Sequence, residues 1–302
     1  MKNMLGIILS AAVLLTAVWM HAAEDAGRPK IYGIAYVKVK VTDVEKSKAF
    51  YGGVLGLRAG GESCKGVANP CFSINGSQHV ELVKTDAGDK GPFLPEIGLA
   101  TNSVEQMASY LTAKGIPASK ILQRPDSMKY LEVFDPEHHK IVFVEGHPAA
   151  SEPLPPGVVS NRMIHAGFVV KDGRAESRFY EDILGFKVYW HGGRTEKETD
   201  CYMVQVPDGD NWLEYMLNIP ATADHKVLGI QYHFSLGVRD VKATAKELEA
   251  RGVTLAGKPI LGRDGKWQFT LFDPDGTRAE VMDFLPTEKP CCSEYTGIQP
   301  KP

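Results

Sequence analysis

Apolar residues in this chain fall in short runs of four to eight, set off by polar turns rather than spread over long helical faces. Such runs lie at 34–41, 163–170, 212–217, 232–238 and 279–282. Their length and their β-branched and aromatic content predict strands. A polar residue suited to capping follows several of them: Asp43, Ser103, Asp172 and Asp240. Each opens a helix of about three turns that ends at a glycine. Ser103 with Gln106 fits a capping box. Short strands then follow, separated by turns such as those at 207–209 and 274–276. The pattern is a repeated βαβββ unit, an α+β class.

The repeat extends to the residues themselves. Residues 44–57 match 173–186, with Phe50-Tyr51 against Phe179-Tyr180 and Leu55-Gly56 against Leu184-Gly185. Residues 104–115 match 241–252, and Phe134-Asp135-Pro136 matches Phe272-Asp273-Pro274. Four units therefore make two halves, 30–146 and 162–285. Residues 147–161 form a Pro-rich connector that reads as a semi-rigid linker. A tail, 286–302, completes the chain. One unit cannot bury its sheet face alone; two side by side make a curved sheet with helices outside and a cavity within.

Four strands of the second half carry an ionisable residue among apolar neighbours: His165, Glu214, His233 and Glu280. Burying such groups is costly unless they are paired or bind a metal. Two imidazoles and two carboxylates are a ligand set for one divalent ion. His165 and Glu214 are 49 residues apart and His233 and Glu280 are 47, so two similar units supply one pair each. The alternative is a buried hydrogen-bonded network without metal. The repeat projects these positions onto Tyr36, Glu81, Glu96 and Val142. With no imidazole and a valine, the first half is expected to have lost its metal, and Glu81 and Glu96 to be solvated or ion-paired. His138-His139 reads as an exposed turn pair. Trp190, Arg194 and Trp267 flank the ligand strands and are candidate substrate contacts; core packing for the tryptophans and a solvated loop for the arginine are the alternatives.

A strand with an inward His, an Asp-started helix containing Phe-Tyr and Leu-Gly, a Leu-Glu strand, a second inward His, and Asp-Pro-Asp-Gly before a final Glu together resemble the vicinal oxygen chelate superfamily. That group includes glyoxalase I, extradiol dioxygenases, methylmalonyl-CoA epimerase and fosfomycin or bleomycin resistance proteins. The resemblance implies two tandem modules with the metal in the second. The His/Glu/His/Glu set is similar to glyoxalase I, and implies a lyase or isomerase that chelates a small substrate through two adjacent oxygens. It also implies that a glutamate acts as base, Glu280 first and Glu214 second. The mixed nitrogen and oxygen ligands do not choose between Fe, Mn, Ni, Co and Zn. Alternatives are an extradiol-type dioxygenase, which needs two His and one carboxylate, and a drug-binding resistance protein without catalysis.

Composition changes this picture little. The 302 residues are 43% hydrophobic and 24% charged, with net charge −3. No basic stripe points to nucleic acid. The N-terminus does matter: Lys2, an apolar run over 4–20 and small residues near Ala23 resemble a secretory signal over 1–23. Cleavage would leave no stable membrane span and place the protein in a periplasmic or extracellular compartment; an uncleaved anchor is the alternative. Export permits disulfides. Cys64 and Cys71 flank a short loop, Cys291 and Cys292 are adjacent, and Cys201 is the fifth cysteine; bridges and reduced thiols are both open. Exposed sheet edges would allow a homodimer.

Overall fold

A computed structural model describes residues 27–89, 91–148 and 153–302. The expected export segment and residues 149–152 of the connector lie outside the described residues. Among the described residues, no helix is long and apolar enough to cross a membrane.

In chain order the first half runs β1 (Ile31–Val41), α1 (Val44–Lys48), β2 (Arg58–Ala59), β3 (Cys71–Ser73), β4 (His79–Lys84), β5 (Glu96–Thr101), α2 (Val104–Ala113), β6 (Leu122–Gln123), β7 (Lys129–Phe134) and β8 (Lys140–Glu145). The second runs β9 (Met163–Val169), α3 (Gly173–Ser177), β10 (Lys187–Gly192), β11 (Cys201–Gln205), β12 (Trp212–Met216), α4 (His225–Gln231), β13 (His233–Val238), α5 (Val241–Ala250), β14 (Ile260–Leu261), β15 (Trp267–Phe272) and β16 (Arg278–Asp283). Each half is one eight-stranded sheet, in orders β2-β3-β4-β1-β5-β8-β7-β6 and β10-β11-β12-β9-β13-β16-β15-β14. The two first strands, β1 and β9, each sit between a parallel and an antiparallel neighbour. This is the βαβββ repeat in space.

The four polar caps act as their positions predict. Asp43, Ser103, Asp172 and Asp240 each accept from backbone N–H groups of the first helical turn. Two helices depart from the regular three turns: α1 and α3 widen into π-helical turns over Ala49–Val54 and Arg178–Ile183. Each widened turn carries the repeated Phe-Tyr pair, buried on both rings. Helix α4 is an addition to the repeat; Asp224 caps it, accepting from the Val227 N–H.

The repeated motifs meet across the halves. Tyr51 donates to Asp273 and Tyr180 to Asp135, each at 3.1 Å. Asp275, in the turn after β15, accepts from the N–H and hydroxyl of Thr42. Glu137, its counterpart, accepts from the N–H groups of Lys171 and Asp172. The first strands are joined by two buried amides in equivalent places. The Gln78 carbonyl accepts from the Met163 N–H, and its NH2 donates to the Ile34 and Met163 carbonyls, all at 2.9 Å. Asn211 accepts from the Ile34 N–H at 2.9 Å. Two disulfides are present, Cys64–Cys71 and Cys291–Cys292, and Cys201 is free.

Truncating Gln78 to alanine strips buried backbone groups of both halves of their partners, at a cost of about 2–3 kcal/mol. Gln78→Ala should lower Tm by several degrees in calorimetry, and Asn211→Ala should act in the same direction. An unchanged Tm for both would show that the amides do not hold the halves together.

Candidate metal centre

Strands β12, β9, β13 and β16 lie side by side, and their register places the four candidate ligands in two rows on one face. Glu214, Gly167, His233 and Arg278 are Cα partners across one row. Trp212, His165, Ser235 and Glu280 form the next. Successive side chains on a strand alternate faces, so rows two residues apart share a face. The ligands are staggered: Glu214 and His233 flank Gly167, and His165 and Glu280 flank Ser235. Gly167 is required by space, because a Cβ there would lie 2.1 Å from His233 Cε1.

The four side chains converge. His165 Nε2 lies 3.1 Å from His233 Nε2, 3.0 Å from Glu280 Oε2 and 3.4 Å from Glu214 Oε1. Glu214 Oε2 lies 3.3 Å from His233 Nε2. All four are buried, at 0–5% exposure. Two nitrogens bound to one ion at about 2.1 Å each stand roughly 3.0–3.4 Å apart, so the imidazole spacing suits a shared cation. Glu280 Oε2 is close to His165 but has no hydrogen-bond partner. The two Nε2 atoms are within hydrogen-bond geometry of each other, whereas Glu280 Oε2, close to His165 without such a bond, is placed as a ligand atom would be.

Electrostatics favour the ligand forms. Burial lowers both imidazoles, His165 well below its usual range, so both are neutral with lone pairs available. The His233 Nδ1 faces the Gln231 carbonyl at 3.0 Å, which fixes Nε2 as the inward nitrogen. Burial would raise Glu214, but its neighbours, the donating Trp212 indole N–H among them, hold it below the ordinary carboxylate range. That indole donates to Glu214 Oε1 at 2.9 Å, and the Arg278 guanidinium bonds Glu280 Oε1. The residues present therefore fit one divalent cation: mixed N/O donors, two negative charges, and outer groups that orient His233, Glu214 and Glu280, the His165 Nδ1 having no hydrogen-bond partner.

Trp212 and Arg278 were missed as site residues, although each stands two positions before a ligand on its own strand. Cys201 was also missed; its Sγ is 3.8 Å from Glu214 Oε2. Lys266 is fully buried behind Trp212, with Nζ 4.8 Å from the indole centroid and donating to the Phe284 carbonyl. Burial pushes it down to about 8. Trp190 packs with Met203, Trp212, Met282 and Phe284 on the ligand side of the sheet, its indole N–H on the Cys291 carbonyl. Tyr295 of the tail packs against the same cluster. The structure does not bring Arg194 or Trp267 to the centre. Arg194 is a solvent-facing loop residue paired with Asp200. Trp267 packs on the helix side, with Lys242 of α5 3.3 Å over its ring.

The first half fills the same rows without an imidazole at any of the four ligand positions; its one buried histidine there, His79, stands at the place of Trp212 with Nε2 3.3 Å from Glu81 Oε1. Glu81, Lys38, Glu96 and Lys140 are partners across the row that corresponds to Glu214, Gly167, His233 and Arg278. Lys38 Nζ sits 2.9 Å from Glu96 and 3.7 Å from Glu81, and Lys140 Nζ sits 3.1 Å from Glu96. Tyr36 donates to Glu96 at 2.6 Å. Glu81 and Glu96 are thus ion-paired and buried rather than solvated. A lysine ammonium supplies the positive charge there.

Comparison with known proteins agrees with this architecture. The family model described as Glyoxalase/Bleomycin resistance protein/Dioxygenase superfamily matches residues 33–143 and 162–281. The chain belongs to this superfamily. A probable chloroplastic lactoylglutathione lyase of Arabidopsis thaliana is 28% identical over 134 residues, 43% of this chain and 38% of that protein. The chain thus spans under half the length of that relative. The Mn(II)-bound glyoxalase of Novosphingobium aromaticivorans superposes with TM-score 0.65 at 21% identity, covering 84% of this chain and 83% of the other. An extradiol ring-cleaving dioxygenase of B. fuscum gives TM-score 0.59 at 19% identity, covering 85% and 73%. These likenesses establish the superfamily fold as two tandem modules.

Gly167→Ala should push the His233 ring aside and weaken metal retention by about 10- to 100-fold, with the fold intact by circular dichroism. Unchanged metal affinity in titration calorimetry would show that His233 is not held as a ligand.

Proposed function

We propose that the chain is a divalent-metal-dependent enzyme of glyoxalase I type, a lyase or isomerase acting on a small substrate through two adjacent oxygens. The observation that carries this is Glu214: a second carboxylate within 3.4 Å of both imidazoles. Bound there by His165, Glu214, His233 and Glu280, the metal would supply Lewis-acid polarisation of a substrate oxygen. Glu280 is the proposed base. Arg278 anchors one of its oxygens, so Oε2, the ligand-directed oxygen, would be the one to leave the metal and take the proton. Trp212 holds Glu214 as an anion, so two carboxylates balance a divalent charge. Trp190, Met203 and Met282 keep water out, which strengthens every electrostatic interaction inside.

Export remains part of the proposal. A secreted enzyme would seldom meet glutathione or coenzyme A conjugates, so a small free dicarbonyl or hydroxycarbonyl is the substrate class proposed. The Cys64–Cys71 disulfide supports an oxidising compartment.

A second reading, an extradiol-type dioxygenase, has an observation of its own. His165, His233 and Glu280 offer ligand atoms that all lie within 4.8 Å of one another, a two-His, one-carboxylate triad with Glu214 beside it.

The test is turnover of dicarbonyl and hydroxycarbonyl substrates, with chelation and metal restoration, in the wild type, Glu280→Gln and Glu214→Ala. The proposal predicts that chelation abolishes turnover, that Glu280→Gln lowers kcat by about 10²–10⁴-fold, and that Glu214→Ala is also severely impaired. Metal-dependent oxygen consumption with an aromatic diol that survives Glu214→Ala would establish the dioxygenase instead. Ligand binding that persists through chelation and Glu280→Gln, without turnover, would leave a binding protein.

A further inference from the structure

A second buried cluster lies where the two modules meet, outside the centre described above. The turn after β7 brings Asp135 and His139 against Glu176 of α3, and their ligand-capable atoms all lie within 4.8 Å of one another. His139 was expected in an exposed turn pair. The structure corrects this: His138 is exposed, but His139 is folded inward, with its Nδ1 2.8 Å from Asp135 Oδ2 and its ring against Phe168.

Backbone amides anchor one oxygen of each carboxylate. Asp135 Oδ1 accepts from the N–H groups of Glu137 at 3.0 Å and His139 at 2.7 Å, and Glu176 Oε1 accepts from Glu137 N–H at 3.0 Å. Asp135 Oδ2 faces His139 and the Tyr180 hydroxyl. Glu176 is fully buried, and its Oε2 has no hydrogen-bond partner. The Tyr215 hydroxyl, raised by burial and by the Glu176 charge, is also buried without one. Among the described residues, no lysine or arginine pairs with Asp135 or Glu176.

The pseudo-symmetric position shows that the fold does not require this. There Ser47 stands for Glu176 and Thr277 for His139, around the equivalent Asp273, and the Tyr51–Asp273 bond is kept. One carboxylate serves the interface on that side. The other side adds a second carboxylate and an imidazole. With no cation, burial and the Asp135 charge push Glu176 up to about 9. Two buried carboxylates beside an imidazole are a set that takes a divalent transition ion more readily than Ca²⁺ or Mg²⁺.

We propose that Asp135, His139 and Glu176 form a second divalent-cation site, which ties the turn of the first module to helix α3 of the second. Its role would be structural, since it joins two modules and is closed by Tyr180, Phe168 and Tyr215.

The test is Zn²⁺ titration calorimetry on chelator-treated full-length protein, with elemental analysis after desalting. The wild type should bind two equivalents. Glu176→Ser and His139→Thr, which install the residues of the symmetric position, should each remove one equivalent and leave the other. In His165→Ala/His233→Ala, one equivalent should remain and raise Tm as Zn²⁺ is added; adding Glu176→Ser should abolish both effects. If that background does not fold, the single variants decide. Unchanged stoichiometry in Glu176→Ser and His139→Thr would overturn the site and leave a carboxyl pair that shares a proton. Loss of only the His165/His233 equivalent bears on the proposed function and not on this site.

Discussion

Everything in the second module is arranged around the burial of two carboxylates and two imidazoles at one point of a sheet. Desolvating charges there is costly, and only a compensating positive charge or a full set of hydrogen bonds offsets it. The register shows how the strands accept the cost. Gly167 and Ser235 occupy the places between the ligands, so the larger side chains close over them without collision. The first module faces the same constraint in the same rows and resolves it differently. Lys38, at the position of Gly167, places an ammonium between Glu81 and Glu96. The duplicated fold thus holds a cationic side chain in one half and, in the other, a glycine with a ligand set for a cation.

The rest of the fold positions these rows. Each first strand is held at its start by an amide, Gln78 or Asn211, that also touches the other module. The repeated Tyr and Asp motifs pair across the same interface. The ligand face is then sealed by large side chains. The tail adds to the seal along β10, where Ser293 bonds both backbone groups of His191 and Tyr295 packs on Tyr189.

Much of this was legible in the chain. The duplication, the four helix caps, the strand–helix–strand order and the four central ionisable residues follow from spacing and alternation alone, because strand periodicity and capping chemistry are local. What stayed hidden depends on register between distant strands. Lys38 reads as an ordinary polar residue of β1 until it is set opposite Glu81 and Glu96. Arg278 and Trp212 share a face with Glu280 and Glu214 by simple two-residue periodicity, and that signal was available. Arg194 and Trp267 are near ligands in sequence but not in space: one belongs to a solvated loop, the other to the helix side of β15. His139 reads as a turn residue, and only the docking of one module on the other turns it inward.

The central claim is that the His165/Glu214/His233/Glu280 cluster holds a cation rather than a self-satisfied polar network. The most direct measurement compares the metal content of untagged wild-type protein with that of His165→Ala/His233→Ala by elemental analysis. The account predicts that the wild type carries one equivalent of a divalent transition metal more than the variant. Equal metal content in the two proteins, persisting after reconstitution with each candidate ion, would contradict it.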